Sequence, residues 1–139
     1  MDASTAWIER LRQAVDAHDV EAVVACFAAG YVNETPAHPG RGFTGREQVR
    51  TNWNRIFTGV PDLTAEVLRI AVDNTIVWSE WEMSGTRPDG LPHLMRGVII
   101  FEVSDGSATA ARFYLEPVDV GEGGVRAAID RIVGLGYSR

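Results

Sequence analysis

Apolar side chains recur at helical spacing from Trp7 through Leu11 to Val15, which predicts an amphipathic helix beginning after Ser4. His18 and Asp19 interrupt it. The run VEAVVACFA then predicts a second, shorter helix that ends at Gly30, glycine being the residue type that most often closes a helix. Thr44 followed by Glu47 has the spacing of a capping box, in which each side chain satisfies a free amide of the first turn. A third helix is therefore expected from about Gly45 to Phe57, with Val49, Trp53, Ile56 and Phe57 on its apolar face.

Beyond GVPDL the period changes from helical to alternating, and strands are expected at Thr64 to Val72, Thr75 to Ser84, His93 to Val103 and Ala108 to Val118. The segments between them, DN, GTRPDGLP and SDGS, are turn chemistry. Tyr31 to Thr35 offers a short edge strand, and VRAAIDRIV, with Val125, Ile129, Ile132 and Val133 on one side, reads as a small closing helix. Helices first and an antiparallel meander afterwards give an α+β layout with helices over one face of a sheet. Alternation says which face. The odd positions Val77, Ser79, Trp81, Met83, Met95, Gly97, Ile99, Phe101, Phe113 and Leu115 form the covered side, while Glu80, Glu82, Arg96, Arg112, Tyr114 and Glu116 lie on the other.

The 139 residues, 45% hydrophobic and 23% charged, suit a single domain spanning 1–139 that can bury a real core. A net charge of −6 and the absence of any Lys/Arg cluster argue against nucleic acid and anionic membranes as partners. MDASTAWIERLRQ lacks the basic and apolar regions of a signal peptide, and no stretch is long enough to span a bilayer, so a cytoplasmic protein is expected. Without secretion, the glycosylation-like triplet at Asn33 to Thr35 is accidental. Cys26 reads as a buried structural thiol. His18 and His38 have no second ligand at useful spacing, so neither a metal nor another cofactor is expected.

The order of elements, with YVNETPAHPG, FTGREQVRTNWNRIF, RGVIIFEV and RFYLEPVD, resembles the SnoaL-like polyketide cyclases of the nuclear transport factor 2-like superfamily over about Ala6 to Asp119. The resemblance implies a cone: helices packed on a strongly curved, mainly antiparallel sheet that encloses a pocket, commonly dimeric through the convex sheet face. Among relatives, limonene epoxide hydrolases position water with a Tyr-x-Asn matched here by Tyr31 and Asn33. The positions that match their Arg, Asp and final-strand Asp are Trp81, Met83 and Phe113. Ketosteroid isomerases use a carboxylate base near Glu34, but Leu11 and Ile99 stand where their oxyanion donors would be. SnoaL-type cyclases use an Asp in the last strand, again at Phe113, which leaves Glu116 as the carboxylate nearby.

His93 opens a strand on the covered face after the loop TRPDGLP. It is a candidate general acid/base at a pocket mouth, or a strand-end residue bonded to a backbone carbonyl. Glu116 is either a second catalytic group or part of a surface ion pair with Arg96 or Arg112. Glu34, in a loop beside Thr35 and Pro36, is either a base or a solvated acid. Arg87 and Asp89 pair in a turn or gate the pocket. Trp53, Phe57, Trp81, Met83, Met95 and Phe113 are core, cavity lining, or both.

The reading that follows is a pocket protein for a small apolar molecule, a cyclic ketone or polyketide, working by cofactor-free proton transfer. His93 would be the acid/base, Tyr31 and Asn33 would orient substrate or water, and Glu34 or Glu116 would be the second group. The alternatives are a non-catalytic carrier, a dimeric interaction module, and an epoxide hydrolase resting on the Tyr-x-Asn alone.

Overall fold

The computed structural model describes residues 2–121 and 123–135. Helix α1 is Ala3–Asp16, and the Asp2 carboxylate caps it by accepting from the Thr5 amide at 2.7 Å. The spacing read from the sequence places Trp7, Ile8, Leu11, Ala14 and Val15 in the core. Burying each of the large members contributes about 1.5–3 kcal/mol, far more than helix propensity supplies.

The second helix departs from expectation. α2 is Val20–Val24 only, and the chain is already a strand, β1, over Phe27–Glu34. The reason is tertiary. The Cys26 carbonyl accepts from the Ala108 amide at 2.9 Å and from the Trp7 indole at 3.0 Å. Phe27 packs edge-on against Tyr31 with ring centroids 4.7 Å apart. A helix continued to Gly30 would forfeit these contacts. Cys26 is buried, as expected, and burial pushes its thiol pKa up, which keeps it unreactive.

The edge strand expected at Tyr31 to Thr35 is the second half of β1, and it is interior. The two-residue β2, Phe43–Thr44, lies outside it, and the order across the sheet is β2-β1-β6-β5-β4-β3. The other strands are β3 Thr64–Asp73, β4 Ile76–Thr86, β5 Pro92–Ser104 and β6 Ser107–Pro117. β1 runs parallel to β6, the remaining pairs are antiparallel, and the sheet is not closed.

Helix α3, Arg46–Gly59, begins without the capping box: Gly45 is its N-cap and no side chain caps it. Thr44 is held in β2, and Glu47 pairs instead with Arg50, which also binds Glu21 of α2 at 2.8 Å.

Alternation is realised in β4 and β5. Val77, Ser79, Trp81, Met83, Ile99, Phe101 and Val103 are buried beneath the helices. The outer face carries the cross-strand pairs Arg96–Glu82 at 2.6 Å and Arg69–Glu80 at 3.6 Å. Next to Glu80 on the same face, Trp78 is 49% exposed. Gly97 has φ +150, and a Cβ there would run into the Tyr114 carbonyl oxygen of the neighbouring strand. α4, Val125–Val133, forms as expected but closes nothing: none of its residues is buried, and Val125, Ile129, Ile132 and Val133 are exposed. The result is an α+β cone in which helices cover the concave side of a mixed six-stranded sheet.

Candidate functional site

The concave face of β4, β5 and β6 and the inner side of α3 do not meet fully, and a cavity with two lobes separates them. One lobe, of about 300 Å³, lies among Leu63, Met83, His93, Met95, Phe113 and Leu115. The other, of about 230 Å³, reaches Phe27, Tyr31, Asn33, Phe43, Val49 and Asn52. Thr35, Arg41, Trp53, Ile56 and Phe113 line both. The size and the apolar walls with a few polar groups suit a small organic ligand.

Each candidate residue has a definite place. Trp53, Met83, Met95 and Phe113 line the cavity. Trp81 does not: it is 0% exposed at the sealed end, with its indole donating to the Ser79 hydroxyl at 2.9 Å. Phe57 is also outside the lining and stacks on His18 with centroids 4.5 Å apart. His18 is fixed further by a 2.7 Å contact between Nε2 and the Leu63 carbonyl.

Tyr31 and Asn33 lie on the covered side of β1, where the Tyr31 hydroxyl donates to Asn33 Oδ1 at 2.7 Å. Burial pushes the Tyr31 pKa up, so the phenol remains a donor. With its oxygen so engaged, Asn33 has its amide N–H groups unbonded among the described residues, and it lines the cavity.

The carboxylates are elsewhere. Glu34 points to the outer face, in a shallow cleft with Arg112, and pairs with that guanidinium at 3.1 Å. Glu116 is half-exposed. It meets neither Arg96 nor Arg112 but the loop after β1, with His38 Nε2 at 3.1 Å and Arg41 Nη1 at 3.9 Å. Arg96 pairs with Glu82 and Arg112 with Glu34, which leaves Glu116 to the loop. Arg87 and Asp89 pair with each other at 2.6 Å in the β4–β5 hairpin.

His93 stands at the start of β5, opposite Gly85, and belongs both to the inner lobe and to an apolar depression on its outer side formed with Leu91, Leu94 and Val118. Its imidazole makes no side-chain hydrogen bond among the described residues, whereas His18 and His38 each have a partner. The backbone-carbonyl bond considered for it from the sequence is therefore not present among those residues.

Arg41, Thr35 and Asn52 are the polar lining groups that the sequence did not single out. Arg41 ends a 3-10 turn, Pro39–Arg41, in a stretch rich in proline and glycine where no periodicity orients a side chain. Among the described residues no group of three or more His, Cys, Asp or Glu could hold a metal ion, and no helix is long and apolar enough to cross a membrane.

No curated protein matches the sequence. The fold is similar to that of IdmH, a candidate polyketide cyclase from Streptomyces antibioticus, at 23% identity and TM-score 0.70, over 83% of this chain and 92% of that one. It is also similar to SalBIII, an epoxide hydrolase/cyclase-like enzyme of pyran ring formation in the polyether salinomycin, at 19% identity and TM-score 0.70, over 82% and 89% of the two chains. A Mycobacterium tuberculosis protein in complex with estradiol-17beta-hemisuccinate aligns at 21% identity and TM-score 0.70, over 82% of this chain and 94% of that one. At these identities the likeness concerns the fold. Sequence goes further: residues 8–111 match the model of the SnoaL-like domain, more than half of the chain, and the protein belongs to that family.

Proposed function

We propose that this protein is a small-molecule pocket protein that carries out cofactor-free proton transfer, of the cyclase or isomerase type, on an apolar cyclic ketone or polyketide-like compound. The observation that carries the reading is His93: an imidazole in the wall of an apolar cavity, with no side-chain hydrogen bond among the described residues. A general acid/base must come within hydrogen-bond reach of the proton it moves, and an imidazole without a protein partner is free to do so. Asn33, oriented by Tyr31, supplies amide donors for a carbonyl or for water. Glu34 and Glu116, engaged by Arg112 and His38, support the surroundings and do not face the ligand. The similarity of fold to a candidate polyketide cyclase and to an epoxide hydrolase/cyclase-like enzyme agrees with this reaction class.

The experiment is a thermal-shift screen against steroids, aromatic polyketides, terpenoid epoxides and lactones, with each stabilising compound examined for turnover by mass spectrometry. A ligand converted by the wild type and bound but not converted by His93→Gln is the expected result. An unchanged rate in that variant would remove His93 from the mechanism. A second reading, a carrier, is favoured by the apolar Trp81 and Phe113 at positions where relatives hold catalytic groups. Its signature is tight binding with the ligand recovered unchanged.

A further inference from the structure

The cavity walls are charged in one sense. Of the residues lining the two lobes, Arg41 carries a permanent charge, and no Asp or Glu is among them. This is unusual for a chain of net charge −6.

The guanidinium is also poorly neutralised. Its counter-ion, Glu116, lies at 3.9 Å, beyond hydrogen-bond distance, and is drawn to His38 at 3.1 Å. Arg41 makes no side-chain hydrogen bond among the described residues. Its position is fixed from below, because the turn that ends in it is closed by bonds from the Arg41 amide to the His38 carbonyl at 2.9 Å and from the Gly42 amide to the Pro39 carbonyl at 3.3 Å. The side chain is 60% exposed, so it stands at the rim where the cavity meets solvent, with Thr35 beside it in the lining of both lobes.

A planar fork of donors beside an apolar chamber that no acid lines, with its one carboxylate neighbour beyond hydrogen-bond distance, recognises a planar oxyanion. We propose that the ligand is an amphipathic organic acid, an apolar ring system bearing a carboxylate or a comparably delocalised oxyanion, with its rings among Trp53, Met83, Met95 and Phe113 and its anionic end on Arg41. Arg41 is thus the residue that determines specificity for charge. The inference rests on the cavity being a ligand site, and its test separates the two.

Binding of 2-naphthoate and of the neutral methyl 2-naphthyl ketone is measured by quenching of tryptophan fluorescence, in the wild type, Arg41→Met and Arg41→Lys. The expected wild-type preference is about tenfold for the acid, the scale of one charge-assisted contact at a partly exposed site. It is expected to shrink as salt rises. In Arg41→Met the acid loses about tenfold and the preference disappears, a far-ultraviolet circular dichroism spectrum like that of the wild type certifies the fold, and Arg41→Lys restores part of the preference. Equal affinity for the two probes in the wild type, or a preference that survives Arg41→Met, would overturn the proposal and leave the cavity reading standing. If neither probe binds at all, both readings fall.

Discussion

The sealed end of the cone holds a polar pair whose energetics can be worked out from two distances. Ser79 Oγ donates to the Ile99 carbonyl at 2.7 Å and accepts from the Trp81 indole N–H at 2.9 Å, with Ser79 1% and Trp81 0% exposed. Ser79→Ala removes both bonds and leaves a buried indole N–H with nothing to bind. The bond to Ile99 is worth about 1 kcal/mol net, and the indole N–H left without its acceptor costs about 1–3 kcal/mol in place of the second bond, so a total of about 2–4 kcal/mol is expected. Trp81→Phe leaves the serine bonded to Ile99 but opens a void where the second ring stood, for about 2 kcal/mol.

The double variant carries the void but no orphan, since the N–H has gone with the indole. It should therefore be about 1–2 kcal/mol more stable than the sum of the single losses predicts. Urea unfolding followed by far-ultraviolet circular dichroism measures this without relying on the tryptophan signal that Trp81→Phe alters. Losses that add to within about 0.5 kcal/mol would refute the reasoning, because the two groups would then not depend on each other.

Two other predictions concern the frame of the cavity. Gly97→Ala forces a Cβ against the Tyr114 carbonyl at a φ of +150, and it is expected to cost more than about 3 kcal/mol, since backbone on backbone cannot yield as a flexible side chain would. A urea midpoint close to that of the wild type would show that the backbone around Gly97 has room to relax. Asp62 ties the α3–β3 loop to the end of β4 by accepting from the Thr86 amide at 2.8 Å and from its hydroxyl at 2.9 Å, and these bonds hold its carboxyl pKa below the usual carboxylate range. A depressed folded pKa stabilises above the unfolded value, about 3.9, and that stabilisation is lost as the pH falls through the folded pKa. The melting temperature of Asp62→Asn should thus lie below that of the wild type at pH 7 and approach it in acid; a difference independent of pH would exclude this account.

What the sequence revealed of the fold was wherever one face of an element is uniformly buried. Trp7, Leu11 and Val15 mark α1, and Val77 to Met83 and Ile99 to Val103 mark the covered side of β4 and β5, because burial imposes the period directly. The stretch from Val20 to Tyr31 was misleading for the converse reason. Its valines and alanines suit a helix or a strand, and the decision belongs to Ala108 and Trp7, distant residues that claim the Cys26 carbonyl. The capping pattern at Thr44 and Glu47 failed in the same way, since β2 needs Thr44 extended beside Val32 and Arg50 takes the glutamate. Arg41 could not be oriented at all, because a Pro-Gly turn has no period to reveal which way its side chain points.

The polar groups of the site are displaced from where relatives are expected to keep theirs. Trp81 seals the deep end, and Met83 and Phe113 give the chamber apolar walls. His93, shared with the outer depression, and the exposed Arg41 mark the rim, while Asn33 and Thr35 are buried polar groups of the lining. Depth and chemistry are therefore separated. On the proposed reading a ring system would enter for its hydrophobic contacts, which carry no directional information, and the polar groups would fix how far it goes in and which atom is left at His93. A reaction of the proposed kind would then take place at the mouth, on the atoms next to the ligand's polar end, with the deep wall holding the rest of the molecule still. An apolar substitution in that wall should then alter affinity with little effect on the chemical step, whereas loss of the His93 imidazole should do the reverse.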